Sequence, residues 1–148
     1  MKKVSILLLV LATSLALGAK PLRTFESLMD TLKGGNAVRV VVDYGQCKLL
    51  IDGKEEKSPE AIGGMDWAAW EYFAKGVIRN EKAYVVSSHT QLIAHPRYGH
   101  VHNYVRIRVF EDGEVNITAR YLRTGTFEVV MDETFVGKLD KGVRAYRD

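Results

Sequence analysis

Cysteine is almost missing from this chain: Cys47 stands alone among 148 residues. An internal disulfide is therefore excluded, and so is any metal or redox motif built on paired cysteines. Cys47 shares an alternation face with Leu49 and Ile51, which predicts a buried thiol. Proline is scarce as well, at Pro21, Pro59 and Pro96 only. No repeat, low-complexity tract or Pro/Gly/Ser linker divides the chain, so one domain with its own core is expected. The nucleophile elbow Gly-x-Ser-x-Gly, the phosphate-binding Walker loop and the dinucleotide fingerprint are all absent. Ser88 and His89, as neighbours on a strand, point to opposite faces and cannot act as nucleophile and base. Nothing here assigns a reaction, a catalytic residue or a cofactor.

Long apolar runs are also few. Ile6 to Leu17 is the one present, roughly a dozen residues against the ~20 a membrane-spanning helix needs. Lys2 and Lys3 precede it, small residues Ala16 and Gly18 close it, and Pro21 follows. That is the tripartite pattern of a secretory signal, with cleavage expected after Gly18 or Ala19. The organisation expected is a leader over 1–19 and a single exported domain over 20–148, periplasmic or secreted, with no stable membrane span left. Lys2 and Lys3 leave with the leader, so 21 Lys and Arg become 19 against 18 acidic residues, a net of +1. So small an excess does not point to nucleic acid. The partners expected are a protein or a small anionic ligand.

What remains is patterned. Thr24 is placed as an N-cap, and Phe25, Leu28, Met29 and Leu32 follow at i, i+3, i+4 and i+7. This predicts an amphipathic helix over 24–33, stopped by Gly34-Gly35. From Ala37 the period becomes two: Val38, Val40 and Val42, then Cys47, Leu49 and Ile51 after a turn at Tyr44-Gly45-Gln46. Residues 65–78 fit a helical face through Trp67, Trp70, Ala74 and Val77, or a strand face through Ala68, Trp70, Tyr72 and Ala74. Aromatic density and flanking glycines favour strand. Residues 82–93 read as strand. Residues 103–122 read as a hairpin with Val109 opposite Val115 and Ile107 opposite Ile117. That register leaves the loop Glu111-Asp112-Gly113, with Gly113 where positive φ is wanted. Phe127, Val129 and Met131 give a further strand before a polar C-terminal stretch. The fold class expected is α+β: one N-terminal amphipathic helix packed on a curled, mostly antiparallel meander of six or seven strands, barrel-like if it closes.

Three groups of residues are candidates for function. His95, His100 and His102 sit close together with His89 nearby, and His-x-His at 100 and 102 would send both imidazoles to one side of a strand, as zinc sites use. A small metal-dependent or histidine-based hydrolase is the reading that follows. The competing and stronger reading of residues 95–100 is a polar loop between strands. Carboxylates at Asp43, Asp66, Glu71, Asp132 and Glu133 are scattered and read as surface charge. On the outer face of the hairpin, Tyr104 falls opposite Arg120 and Arg106 opposite Thr118, with Arg108 further along. This Tyr/Arg stripe suits carboxylates, sulfates or an acidic partner edge; an ordinary solvated sheet face is the alternative. Trp67, Trp70, Tyr72 and Phe73 read as core or as the lining of a ligand pocket.

The order of segments carries a resemblance. The pieces are Phe25-x2-Leu28-x3-Leu32 with Gly34-Gly35, Val40-Val41-Val42-Asp43-Tyr44-x2-Cys47, and Gly63-Gly64. They continue with Ser87-Ser88-His89-Thr90, Tyr104-Val105-Arg106-Ile107-Arg108 and Asp112-Gly113-x-Val115. Together they resemble the VirK family of small exported bacterial proteins over nearly all of residues 20–148. The resemblance implies export, and a link to virulence or host association through the family's virulence loci. It implies no catalytic residue and no ligand. The function expected is an exported, non-enzymatic binding or accessory protein of the cell envelope.

Overall fold

The computed structural model describes residues 18–147. Residues 1–17, with the apolar leader run, lie outside them. The elements are β1 (Lys20–Leu22), α1 (Phe25–Lys33), β2 (Val38–Asp43), β3 (Lys48–Ile51), β4 (Lys54–Glu56), β5 (Ile62–Asp66), β6 (Glu71–Phe73), β7 (Tyr84–His95), β8 (Gly99–Phe110), β9 (Glu114–Arg123), β10 (Val129–Leu139) and β11 (Gly142–Arg147).

The helix forms where its spacing places it. Thr24 Oγ1 accepts from the Ser27 N–H at 3.1 Å, and the Thr24 N–H donates to Ser27 Oγ at 3.2 Å. This is a capping box with serine in the usual glutamate place. Leu28, Met29 and Leu32 are buried in the core beside Val38, Val40 and Val42 of β2. The chain leaves α1 at Gly34, whose N–H returns to the Asp30 carbonyl at 3.0 Å.

The sheet holds eleven strands among the described residues: eight run in the order β5-β2-β11-β10-β9-β8-β7-β6, while β1 pairs with β11, β3 with β10, and β4 with β3. It curls into a half-barrel with the helix against it, so α+β holds, with a short helix and more strands than six or seven. The meander also breaks. β10 bonds β9 along one edge, and its other edge forks: β3 takes Thr134–Val136, while β11 pairs in parallel at Lys138 and Leu139. β11 then carries β2 and β1.

The additional strands have physical reasons for escaping a pattern search. β1, β4 and β6 are three residues each, too short to show alternation. β5 contains Gly63-Gly64, which read as a break in the sequence. Here the glycine lets the Tyr44 ring pack closely: a Cβ on Gly63 would lie 3.2 Å from that ring, so the ring would have to shift. Residues 65–78 are neither one strand nor a helix. They are the end of β5, a crossover at 67–70, β6, and a turn closed by Asn80, whose Nδ2 donates to the Ala74 carbonyl at 2.9 Å. The polar C-terminal stretch is the rest of β10 followed by β11, where Val143 and Ala145 are buried. Phe127 precedes β10 in a turn, at φ 58°.

The hairpin of β8 and β9 has the register that its pattern dictates, with Ile107 opposite Ile117 and Val109 opposite Val115. Gly113 takes φ 82°. Odd residues of β8 face the core; Val101, Ile107 and Val109 are at most 1 % exposed. The ribbon is longer than 103–122 suggests, because β7 and β8 are paired from Tyr84 opposite Phe110 to His95 opposite Gly99. β6 covers the outer edge of β7 only as far as Val86. From Ser88 to His95 the described residues pair β7 with β8 alone.

Candidate binding site

Alternation along β8 and β9 sends Tyr104, Arg106, Arg108 and Arg120 to the outer face. The ladder pairs Tyr104 with Arg120, Arg106 with Thr118, and Arg108 with Asn116. From β7, Val86 lies opposite Arg108, Ser88 opposite Arg106 and Thr90 opposite Tyr104. The crossover before β6 covers one side. Ser87 Oγ donates to the Ala69 carbonyl at 2.6 Å, which pins the crossover to β7 and sets Trp70 at the groove wall. The result is an open groove of about 620 Å³, walled by Trp70, Phe73 and Tyr84 and lined by Tyr104, Arg106 and Arg108.

The arginines of the stripe are in different states. Arg120 Nε pairs with Asp132 across the strand at 3.0 Å. Arg106 reaches Thr118 Oγ1 at 3.4 Å, a long hydrogen bond. The Arg108 guanidinium lies 4.6 Å from the centre of the Tyr84 ring and 5.8 Å from that of Phe110. Its Nε is buried and has no hydrogen-bond acceptor, and neither has the buried Asn116 Oδ1 a donor. Among the described residues Arg106 and Arg108 have no carboxylate partner. Glu71 is the acidic residue in the groove lining. Tyr104, Arg106 and Arg108 thus share one groove, while Arg120 lines the adjoining one with Arg106 and Asp132.

The histidines are divided. His89 and His95 occupy inward positions of β7, and His100 and His102 outward positions of β8. His95 Nδ1 accepts from the Arg97 and Tyr98 N–H groups at 3.1 and 3.3 Å, closing the turn from β7 to β8, and its ring stacks on Tyr98. His102 stacks on Phe127 at 5.7 Å. His95 is therefore not brought to the pair His100 and His102. Among the described residues no three His, Cys, Asp or Glu side chains could hold a metal ion together.

Of the aromatic cluster, Trp67 is core at 4 % exposure, whereas Trp70 and Phe73 line the groove. Cys47 is buried at 6 % exposure; its Sγ donates to the Asp43 carbonyl at 3.4 Å, and burial pushes its pKa up.

One group of polar residues was not picked out from the sequence. His89, Val105, Ala119 and Glu133 form one cross-strand row on the inner face, and Gln91, Asn103, Tyr121 and Met131 the next. Burial raises the pKa of Glu133, and burial raises that of Tyr44, helped by Cys47, Tyr121 and Glu133. The available signal was that Asn103 and Glu133 interrupt apolar alternation on their strands; the ladder sets Asn103 opposite Tyr121 and Glu133 in the adjacent row, opposite Ala119.

Fold and faces together define a small half-barrel α+β domain that presents concave surfaces on both sides of one long ribbon. A family model described as VirK protein matches residues 21–127, and the chain belongs to the VirK family. The crystal structure of lpg1832, a VirK family protein from Legionella pneumophila, is similar at a TM-score of 0.68 and 17% sequence identity, covering 86% of this chain and 98% of that one. At that identity the likeness concerns the fold. Comparison with curated proteins finds no match. No helix among the described residues is long and apolar enough to cross a membrane.

Proposed function

We propose that this VirK family protein is an exported, non-enzymatic accessory protein of the bacterial envelope that binds an anionic partner through the Tyr104/Arg106/Arg108 groove. The carrying observation is the pair of arginines held without a carboxylate, one with a buried guanidinium nitrogen that lacks an acceptor. Buried polar atoms are normally satisfied, so an unsatisfied donor at a groove wall favours an acceptor arriving from outside. Guanidinium planes suit carboxylate, sulfate and phosphate groups, and the flanking rings of Trp70, Phe73 and Tyr84 suit a ligand with an apolar body. The leader pattern at Lys2-Lys3 and Ile6–Leu17 supports export to the periplasm or beyond, and family membership supports a part in host association.

Trp70 makes the test direct, since it lines the groove while Trp67 is in the core. Titration with citrate and with a glutamate-rich hexapeptide should change tryptophan emission, more weakly as salt rises. Arg106→Ala combined with Arg108→Gln should abolish the change while leaving the melting temperature near that of the parent. Equal responses from parent and variant would refute this groove as the site.

A further inference from the structure

We propose that the open edge of β7, from Ser88 to His95, takes up an acidic peptide segment in extended form, as an added antiparallel strand whose carboxylate reaches Arg106. This rests on the anion-binding reading of the outer groove and names the partner that groove would serve: a protein segment rather than a free small anion.

The edge is open and unguarded. Ser88 to Leu92 are exposed at every position, outward and inward residues alike. β7 keeps its register with β8 from Tyr84 to His95 without a shift. Residues 88–95 contain no proline, lysine, arginine or carboxylate. Unpaired strand edges bind other chains unless short length, charge, proline or a bulge prevents it. The other open edges among the described residues carry such protection. β1 is three residues with Pro21, β4 is Lys54-Glu55-Glu56, and β6 is three residues beginning at Glu71. β5 is interrupted by Gly63-Gly64. β10 before Thr134 has Asp132, Glu133 and a register shift between Val129 and Met131.

The fold already shows what this edge accepts. β6 lies on it antiparallel and sets Glu71 beside Val86, in the cross-strand row of Arg108. N-terminal to Glu71 the chain departs into the crossover, pinned at Ala69 by Ser87. The next row, Ser88 with Arg106, has no strand beyond Ser88. The outer groove runs to this point, since Ser88 lines it together with Arg106 and Glu71. A residue added at that height stands two strand spacings from Arg106, about 10 Å, with only a serine between them. A glutamate and an arginine leaning over the serine close that span. Two rows on, the same face shows exposed Leu92 beside His102, on which Phe127 stacks. The added strand is thus read as a carboxylate and an apolar residue four positions apart, with main-chain bonds supplying the rest. A second copy of this chain does not answer Arg106, because its own residues 88–95 bring no carboxylate.

The probe is the heptapeptide Thr-Thr-Leu-Thr-Thr-Thr-Glu, blocked at both ends, read by Trp70 emission and amide spectra. It should shift the amides of residues 88–94. Glutamine in place of its glutamate, or Arg106→Ala in the protein, should weaken binding by about tenfold. Two versions N-methylated at alternate residues separate strand addition from plain charge attraction. Alternate amides of an extended strand face opposite edges, so one version should lose binding and the other keep it. The two versions behaving alike, or citrate changing Trp70 emission while the peptide leaves β7 unmoved, would overturn strand addition and leave the groove reading standing. No response to citrate or peptide would overturn both. A dimer whose dissociation on dilution moves the 88–95 amides would give the edge to a second copy and overturn the choice of partner.

Discussion

Replacing Gly137 by alanine tests the tightest contact in the core. A Cβ there would lie 2.9 Å from Cys47 Sγ and 3.2 Å from Val143 Cγ2. The sulfur is not free to retreat, because it is buried and already contacts the Asp43 carbonyl at 3.4 Å. Overpacking of this kind costs about 1–3 kcal/mol. Alanine recovers part of that, roughly 0.5–1 kcal/mol, because glycine loses more freedom on folding. The net expectation is a loss of about 1–2 kcal/mol, lowering the melting temperature by roughly 3–10 °C for a domain of this size. Cys47→Ala removes the obstructing sulfur, so Gly137→Ala in that background should cost less than about half as much, the residue being the contact with Val143. Urea unfolding of parent, both single variants and the double variant closes the cycle. Effects that add within about 0.3 kcal/mol would refute the reasoning, since the glycine would then not be required by the thiol.

Other outcomes follow from the same structure. Thr24→Ala should cost about 1 kcal/mol in urea unfolding through loss of the helix cap; no change would mean that the capping box contributes nothing. Gly113→Ala meets no atom within 4 Å, so its expected cost of roughly 1–2 kcal/mol comes from positive φ alone; Gly113→Asn should recover part of it. Burial holds the Glu133 carboxyl above its usual range, so the folded protein keeps a proton that the unfolded chain has released. The contribution of this residue to stability therefore falls as pH rises from about 4.3 through the folded-state value. Glu133→Gln should match the parent near pH 3 and exceed it at pH 7; identical pH profiles of the urea midpoint would exclude that burial cost.

The parts of the fold legible in the sequence were those where local chemistry and burial agree. Thr24, Leu28 and Leu32 define α1 by spacing alone, and Glu111-Asp112-Gly113 defines the register of β8 with β9. The fork at β10 was not legible, because the pairing of Thr134–Val136 with β3 is long-range, and the parallel contact of β10 with β11, local as it is, spans two residue pairs, Lys138 with Gly142 and Leu139 with Val143, too few to leave a periodic trace. The crossover at 67–70 is likewise set at a distance: the Trp67 backbone N–H donates to the Val38 carbonyl at 2.9 Å, a bond no alternation announces. Of the candidate site, the common face of Tyr104, Arg106 and Arg108 follows from parity. That Arg120 is occupied by Asp132 depends on β10 lying beside β9, which parity does not reveal. The inner polar wall was overlooked because Asn103, Tyr121 and Glu133 each look like an isolated interruption until the ladder places them in two adjacent rows.

The uncovered side of β7 beyond Ser87 leaves a signature in solvent exchange. In an antiparallel ribbon, successive residues turn their amides alternately towards the neighbouring strand and away from it. From Ser88 to His95, amides turned to β8 should hold their protons, while those between them trade deuterium freely. From Tyr84 to Val86, where β6 lies on the other side, both sets should be slow. A molecule that docks by adding a strand there would slow the fast set and leave the slow set unchanged, which makes this stretch a built-in reporter of strand addition.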